Sequence, residues 1–350
     1  MPASARAWPA RFAGSAGAYG MLEHGGRLRE AAQRFGIPLG DWVDLSTGIN
    51  PHAYPAPPVP SAAWQRLPED EDGLEAAAAA YYGTGELLPV AGSQAAIQAL
   101  PQLIPGERVT LLAPGYAEHR HAWRARRLRT CASARGIDDA LPATDVLLLV
   151  TPNNPTGIRF TRVQLLAWHA ELARRGGWLI VDEAFIDAAP HESLAAEAGR
   201  PNLVVLRSLG KFFGLAGARV GFVLAPHALR RRLAESLGPW TVNGPARHVA
   251  RAALSDSDWQ ARMRMRLAQE RARLAALLRA AGLGEPAGPA LFQWLAHPAA
   301  AAWHAKLARS GILVRSFDAP PGLRFGLPPD EAGWQRLERA LGARAPTSGR

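Results

Sequence analysis

The chain has a single cysteine, Cys131, among 350 residues. A lone thiol forms no internal disulfide and cannot complete a cysteine zinc site, so no disulfide framework and no metal centre is expected, and a reducing cytoplasm is the expected compartment. No run of eighteen uncharged apolar residues occurs, so no membrane-spanning helix is expected. The opening MPASARAWPARFAGSAGAYG has no acid before Glu23, yet it lacks the apolar core of a secretory signal and reads as a cytosolic start. Lysine is also scarce: it stands only at 211 and 306, against a combined Lys and Arg count of 40. The net charge of +10 is therefore almost wholly arginine. The runs at Arg124, Arg126, Arg127, Arg129 and at Arg230, Arg231, Arg232 sit in helical-looking segments and read as solvated faces. No nucleic-acid motif accompanies them, so no nucleic-acid partner is expected, while the basic average favours phosphorylated substrates by long-range attraction.

That scarcity gives Lys211 its meaning. It lies in SLGKFFGLAGARVG, a Gly-rich segment that follows an apolar strand. Arginine stays protonated, whereas a lysine can lose its proton and attack a carbonyl.

The length suits one large α/β domain and a smaller companion. Residues 1–50 read as an arm with a short helix, LREAAQRFG, and an extended segment, WVDLSTGINP; the arm is expected to pack with the smaller domain. PHAYPAPPVPSAAW is Pro-rich and reads as an extended linker, and GLEAAAAAYYG as a helix stopped by Gly83. Residues 51–244 form the expected large domain. There, short apolar strands (LLPVAGS, RVTLLAP, TDVLLLVTP, GGWLIVDEAF, LVVLRS, ARVGFVLA) alternate with helices, HRHAWRARRLR and RVQLLAWHAELARRG among them. This predicts an α/β fold, a mostly parallel sheet with helices on both faces. Residues 245–350 turn to an α+β pattern, with one long helix from near Pro245 to Ala281.

Ligands of such sheets bind beyond the carboxyl ends of the strands, where the unusual residues cluster: AGSQ, PGY, TPNNPTG, Asp182, then Ser208 and Lys211. VTPNNPTG, VDEAF and SLGKFFGLAGARVG, in this order and spacing, resemble the fold-type I pyridoxal 5′-phosphate (PLP) enzymes, the aspartate aminotransferase-like superfamily, over nearly the whole chain. The resemblance implies a PLP cofactor held as a Schiff base on Lys211, with Asp182 against the pyridine nitrogen to keep it protonated. It implies Asn154 on the 3′ oxygen and Tyr116 stacked on the ring. For the cofactor phosphate it implies Ser93 and Gln94 at a helix N-terminus, with Ser208 and Arg219. Tyr54, in NPHAYP, resembles the tyrosine that reaches the partner's phosphate, which implies a homodimer with shared sites. Phe185 stands where many aminotransferases have a tyrosine, so one hydrogen bond is missing.

LEHGGRLREAAQRFG followed by DLSTGINPHAYP resembles the N-terminal signature of the L-threonine-O-3-phosphate decarboxylases of cobalamin synthesis, and VDEAFIDAAP and SLGKFFGLAGARVGF are closer to that group than to the general aminotransferases. The resemblance implies a phosphorylated amino-acid substrate. Arg324 in LRFGLP would bind its carboxylate and Arg315 in ILVRSF its phosphate. Asn50 would orient the carboxylate, and His24, Gly25 and Gly26 would close over the substrate from the arm. Histidinol-phosphate aminotransferases share the fold and a phosphorylated substrate, and the residues by themselves leave decarboxylation and transamination both open. A PLP-binding regulator would need a winged-helix domain, for which the chain has no room.

Overall fold

The computed structural model of the protein describes residues 24–342; the first 23 residues, with the basic opening segment, and the last eight lie outside the described residues. Helix α1 (Leu28–Phe35) leads to strand β1 (Val43–Asp44), then to α2 (Ser61–Gln65) and α3 (Leu74–Tyr82). An alternating stretch follows: β2 (Leu87–Val90), α4 (Ser93–Leu103), β3 (Arg108–Leu112), α5 (Ala117–Ala122), β4 (Arg127–Cys131), α6 (Ala134–Ala140), β5 (Val146–Val150), α7 (Arg162–Ala173), β6 (Trp178–Asp182), β7 (Leu203–Ser208) and β8 (Gly221–Leu224). Helices α8 (His227–Leu237), α9 (Gly244–Ser255) and α10 (Ser257–Ala280) lead to β9 (Phe292–Ala296), α11 (Ala300–Arg309), β10 (Ile312–Leu313), β11 (Arg315–Asp318), β12 (Pro321–Gly326) and α12 (Glu331–Leu341).

The main sheet runs β2-β8-β7-β6-β5-β3-β4. β8 is antiparallel to both neighbours, and the remaining pairs are parallel. Its central strands are apolar without interruption because helices cover both faces. Side chains alternate along each strand. Leu147, Leu149, Leu179 and Val181 accordingly enter one core, and Val146, Leu148 and Ile180 enter the core on the opposite face. A second sheet, β11-β12-β9, is antiparallel. β1 pairs in parallel with β10, which joins the arm to the C-terminal part of the chain.

Two expected elements differ. HRHAWRARRLR is not one helix: α5 ends at Ala122, and Arg127–Cys131 is edge strand β4, in register with β3. Arg and Ala favour a helix locally, but the backbone partners offered by β3 override a propensity worth only tenths of a kcal/mol per residue. The long C-terminal helix is broken at Asp256, whose side chain accepts the Trp259 amide hydrogen and so caps a fresh helix. Among the described residues no helix is long and apolar enough to cross a membrane, and no three His, Cys, Asp or Glu side chains are grouped to hold a metal.

One polar cluster lies inside the apolar core beside the strand ends. Arg207 of β7 donates to Glu183 (3.1 Å) and Ser193 (2.8 Å), pairs with Asp187, and lies over the Tyr82 ring at 4.6 Å. Glu183 follows Asp182 in sequence and Arg207 precedes Ser208, so the cluster holds the ends of β6 and β7 together. Removing one partner of a buried pair leaves an uncompensated charge, which costs about 3 kcal/mol. Arg207→Ala is expected to lower the thermal unfolding midpoint by several degrees, measured by calorimetry. An unchanged midpoint would mean that the cluster holds nothing.

Candidate active site

A cavity of about 710 Å³ opens at the carboxyl ends of β3 and β5. Lys211 lies on its wall, between Tyr116 and Asn154 from the main sheet and Arg315 and Arg324 from the second sheet, with His24 and Gly25 of the arm at its edge. The lysine loop is anchored from behind by aromatic packing. Phe212 and Phe213 are fully buried, and Phe213 stacks on Trp259 at 5.7 Å. The Lys211 amine lies 5.5 Å from the Phe185 ring centre. Burial, with Arg324 and Arg219 nearby, lowers its pKa from the usual lysine value to about 8, although Asp182 acts the other way. At neutral pH such an amine is about one-tenth in its nucleophilic form, against a trace for an ordinary lysine.

Asp182 ends β6 and is buried at 3 % exposure. One carboxylate oxygen is 2.8 Å from Nε2 of the buried His119, and the other accepts the Ala184 amide hydrogen at 3.0 Å. His119 lines the cavity and packs edge-on to Tyr116, with ring centres 5.9 Å apart. Sequence reasoning passed over it as part of a basic helix. The available signal was its place three residues after Tyr116, one helical turn on. Burial, with Glu118 and Asp182 nearby, pushes the Tyr116 hydroxyl up to about 12, so it stays a neutral phenol.

Beside the cavity, three chain segments meet in a cup. Gly92 caps α4, and Ser93 opens it. Gly221 pairs with Ser208 across β8 and β7, and a side-chain carbon on it would lie 2.5 Å from the Ser93 nitrogen. Arg219 extends its guanidinium over the same turn: a side-chain carbon at Gly92, whose φ is +73°, would fall 2.6 Å from Nη2. Only glycine leaves this space between a helix N-terminus and an arginine, which is the geometry of an anion cradle. Ser93, Gln94, Ser208 and Arg219 stand around this turn.

On the second sheet Arg315 and Arg324 stand directly opposite each other in the β11–β12 register. Cross-strand partners share a face, and here that face is the cavity. Arg324 is held by Asn154 and by the Ser46 carbonyl, while its Nε is buried without a hydrogen-bond partner. Burial and the charge of Arg315 bring its pKa down to about 10. Two cations so placed, one with an unpaired buried donor, call for anionic ligands.

The arm closes one side. Gly26 donates its amide hydrogen to Ser46 Oγ at 2.8 Å, and Arg315 donates to the His24 carbonyl at 3.3 Å. Gly25 passes so near the Ser46 carbonyl that a side-chain carbon would lie 2.3 Å from the oxygen. Asn50 is a correction: it does not line the cavity. Its amide donates to the Phe212 carbonyl at 2.7 Å, and its oxygen accepts from His52 N at 2.9 Å, because the turn behind Lys211 needs those partners. Tyr54 also stands outside the cavity of its own chain, edge-on to Trp259 at 5.2 Å. Phe185 packs edge-on to Phe292 at 5.0 Å.

The family described as Aminotransferase class I and II matches residues 67–340. A protein of Pseudomonas aeruginosa named threonine-phosphate decarboxylase is 59% identical over 323 residues, covering 92% of this chain and 97% of that one. One of the same name from a Sinorhizobium species is 45% identical, covering 91% and 97%. Among solved structures, the histidinol-phosphate aminotransferase of Sinorhizobium meliloti in complex with pyridoxal-5′-phosphate superposes with a TM-score of 0.79 at 21% identity, covering 91% of this chain and 94% of that one; this likeness is one of fold.

Proposed function

The chain belongs to the aminotransferase class I and II family and, within it, to the threonine-phosphate decarboxylases, and from that membership we propose how its residues divide the work. It is a PLP-dependent carboxy-lyase that converts L-threonine O-3-phosphate to (R)-1-amino-2-propanol O-2-phosphate and carbon dioxide, for cobalamin synthesis. Arg315 and Arg324, facing one cavity with Lys211, carry this assignment.

The residues fit the cofactor. Lys211 would hold it covalently, the cradle of Ser93, Gln94, Ser208 and Arg219 its phosphate, Asp182 its ring nitrogen, Asn154 its 3′ oxygen and Tyr116 its ring face. When bound, it supplies an electron sink for the pair left behind as carbon dioxide departs. Asp182, fixed by His119 and the Ala184 amide, would present its carboxylate to that nitrogen. Arg324 orients the substrate carboxylate. That group loses its charge in the reaction, so binding it tightly cannot by itself speed the step; the force that holds the substrate has to come from the part that does not react. Arg315 provides it, by gripping the substrate phosphate. Lys211 Nζ, with its lowered pKa, can carry a proton back to the substrate carbon.

Tyr54 would reach the second site of a homodimer. Its own chain holds it away from its own cavity, edge-on to Trp259, and Trp64, Leu67 and Trp240 are apolar side chains left exposed elsewhere on the chain.

Carbon dioxide release from L-threonine O-3-phosphate tests the activity. Transamination of histidinol phosphate with 2-oxoglutarate, without carbon dioxide from phosphothreonine, would overturn it. Arg315→Ala is expected to reduce kcat/KM for phosphothreonine by about 100-fold, as for loss of one charge-assisted pair of about 3 kcal/mol, and to affect unphosphorylated threonine far less. Equal losses on both substrates would remove the phosphate role.

A further inference from the structure

Glu118 has no place in the chemistry described above, yet three side chains converge on it. Its Oε1 lies 2.7 Å from His24 Nε2. Its Oε2 accepts from Gln94 Nε2 at 2.8 Å and from Gln98 Nε2 at 3.3 Å. Gln94 belongs to the anion cradle and also accepts from the Tyr116 hydroxyl at 3.5 Å. His24 belongs to the arm, 94 residues away in sequence. The carboxylate is thus a node between the arm and the cradle, and its side chain is only 13% exposed although it stands on an outer helix.

The node matters because of where the arm is otherwise held. Gly26 is tied to Ser46, and the His24 carbonyl to Arg315, both on the wall that carries Arg324. Among the described residues of the arm, it is the His24 side chain that reaches the opposite wall, through Glu118 and the ring of Tyr116, whose centre is 6.0 Å away. Gly25 and Gly26 follow immediately, and glycine keeps the most backbone freedom of any residue. Without the Glu118 contact, the arm would be fixed on one side of the mouth and loose on the other.

We propose that Glu118 is a positioning residue: it latches the arm across the mouth of the cavity and links that closure to the cofactor-phosphate cradle through Gln94. A latched arm shields the bound substrate from water and slows its escape. The kinetic consequence rests on the decarboxylase reading, whereas the latch rests on the contacts alone.

The test uses the PLP-loaded enzyme. In Glu118→Ala, the KM for L-threonine O-3-phosphate rises about tenfold while kcat stays within about twofold, and amide hydrogen exchange at Gly25 and Gly26 quickens by about tenfold. Glu118→Gln keeps an acceptor of the same size and gives a smaller change in both; it also serves if the alanine variant does not fold. Combining Glu118→Ala with His24→Ala raises KM no further than the larger single change, because both remove one contact. Unchanged exchange at the arm overturns the latch whatever happens to KM, as does loss of the cofactor's absorbance, which would make Glu118 part of the cradle. If the wild type releases no carbon dioxide, the activity assignment fails while the exchange measurement still judges the latch.

Discussion

Replacing Lys211 with alanine is expected to end turnover and to leave no covalent cofactor on the chain. Only two lysines exist to compete for the role. Lys306 lies on α11, its amine 4.3 Å from the Trp303 ring centre, and does not line the cavity. Lys211 combines a buried loop, a neighbouring cradle and a pKa near 8. With the role proposed for Lys211, the variant would lose both the attachment point and a proton carrier, and a positioned proton carrier alone is worth up to about 10^4-fold. The measurement is borohydride reduction followed by mass analysis of the peptide that carries the cofactor. An adduct on Lys306, or an unchanged rate, would sink the assignment. The lowered pKa adds a pH signature. A group whose folded pKa is depressed from 10.5 to about 8 exposes its neutral amine above pH 8 and hides it as a cation below. Covalent capture of PLP by the cofactor-free enzyme should therefore quicken as pH rises through about 8 and level off above it.

Asp182→Ala is expected to keep the cofactor and lose most of the rate. The carboxylate is held by two hydrogen bonds and is buried, so its charge acts with little screening. Removing a fixed charge from such a place costs about 4 kcal/mol or more of transition-state stabilisation, about a thousandfold in kcat. Asp182→Asn preserves much of the shape and should fare little better, which separates charge from packing. A near-wild-type kcat in either variant would count against the role. The cofactor's absorbance, retained in both, distinguishes slow chemistry from an empty site.

Much of this arrangement was legible in the sequence, for physical reasons that differ by residue. The buried strands β5, β6 and β7 read plainly, because a strand covered on both faces needs an unbroken apolar run. Lys211 stood out because lysine is scarce. β4 did not, because its exposed arginines and thiol-ended edge carry no alternation, and only the register with β3 makes it a strand. The break at Asp256 has a capping signal that a run of good helix formers concealed. That Arg315 faces the cavity depended on a pairing across eight loop and strand residues with Arg324, which face alternation within one strand cannot decide. His119 was hidden for a further reason: its value comes from Asp182, 63 residues away, which no local pattern records.

The turn at Asn50 bears on how the chain tolerates being shortened. Its backbone nitrogen donates to the Lys211 carbonyl at 3.1 Å, its side chain to the next carbonyl, and Tyr54 N donates to Phe213 O at 2.8 Å. Three consecutive carbonyls of the lysine loop are thus satisfied from a segment some 160 residues upstream in the chain. A protein engineer trimming the arm at the Pro-rich stretch would strip the lysine loop of its backing along with the cavity's cover. The useful minimal enzyme must begin well before residue 50, and a split at Pro55–Pro60 should be rejoined by complementation only if the upstream fragment still presents Asn50 and Tyr54 to that loop.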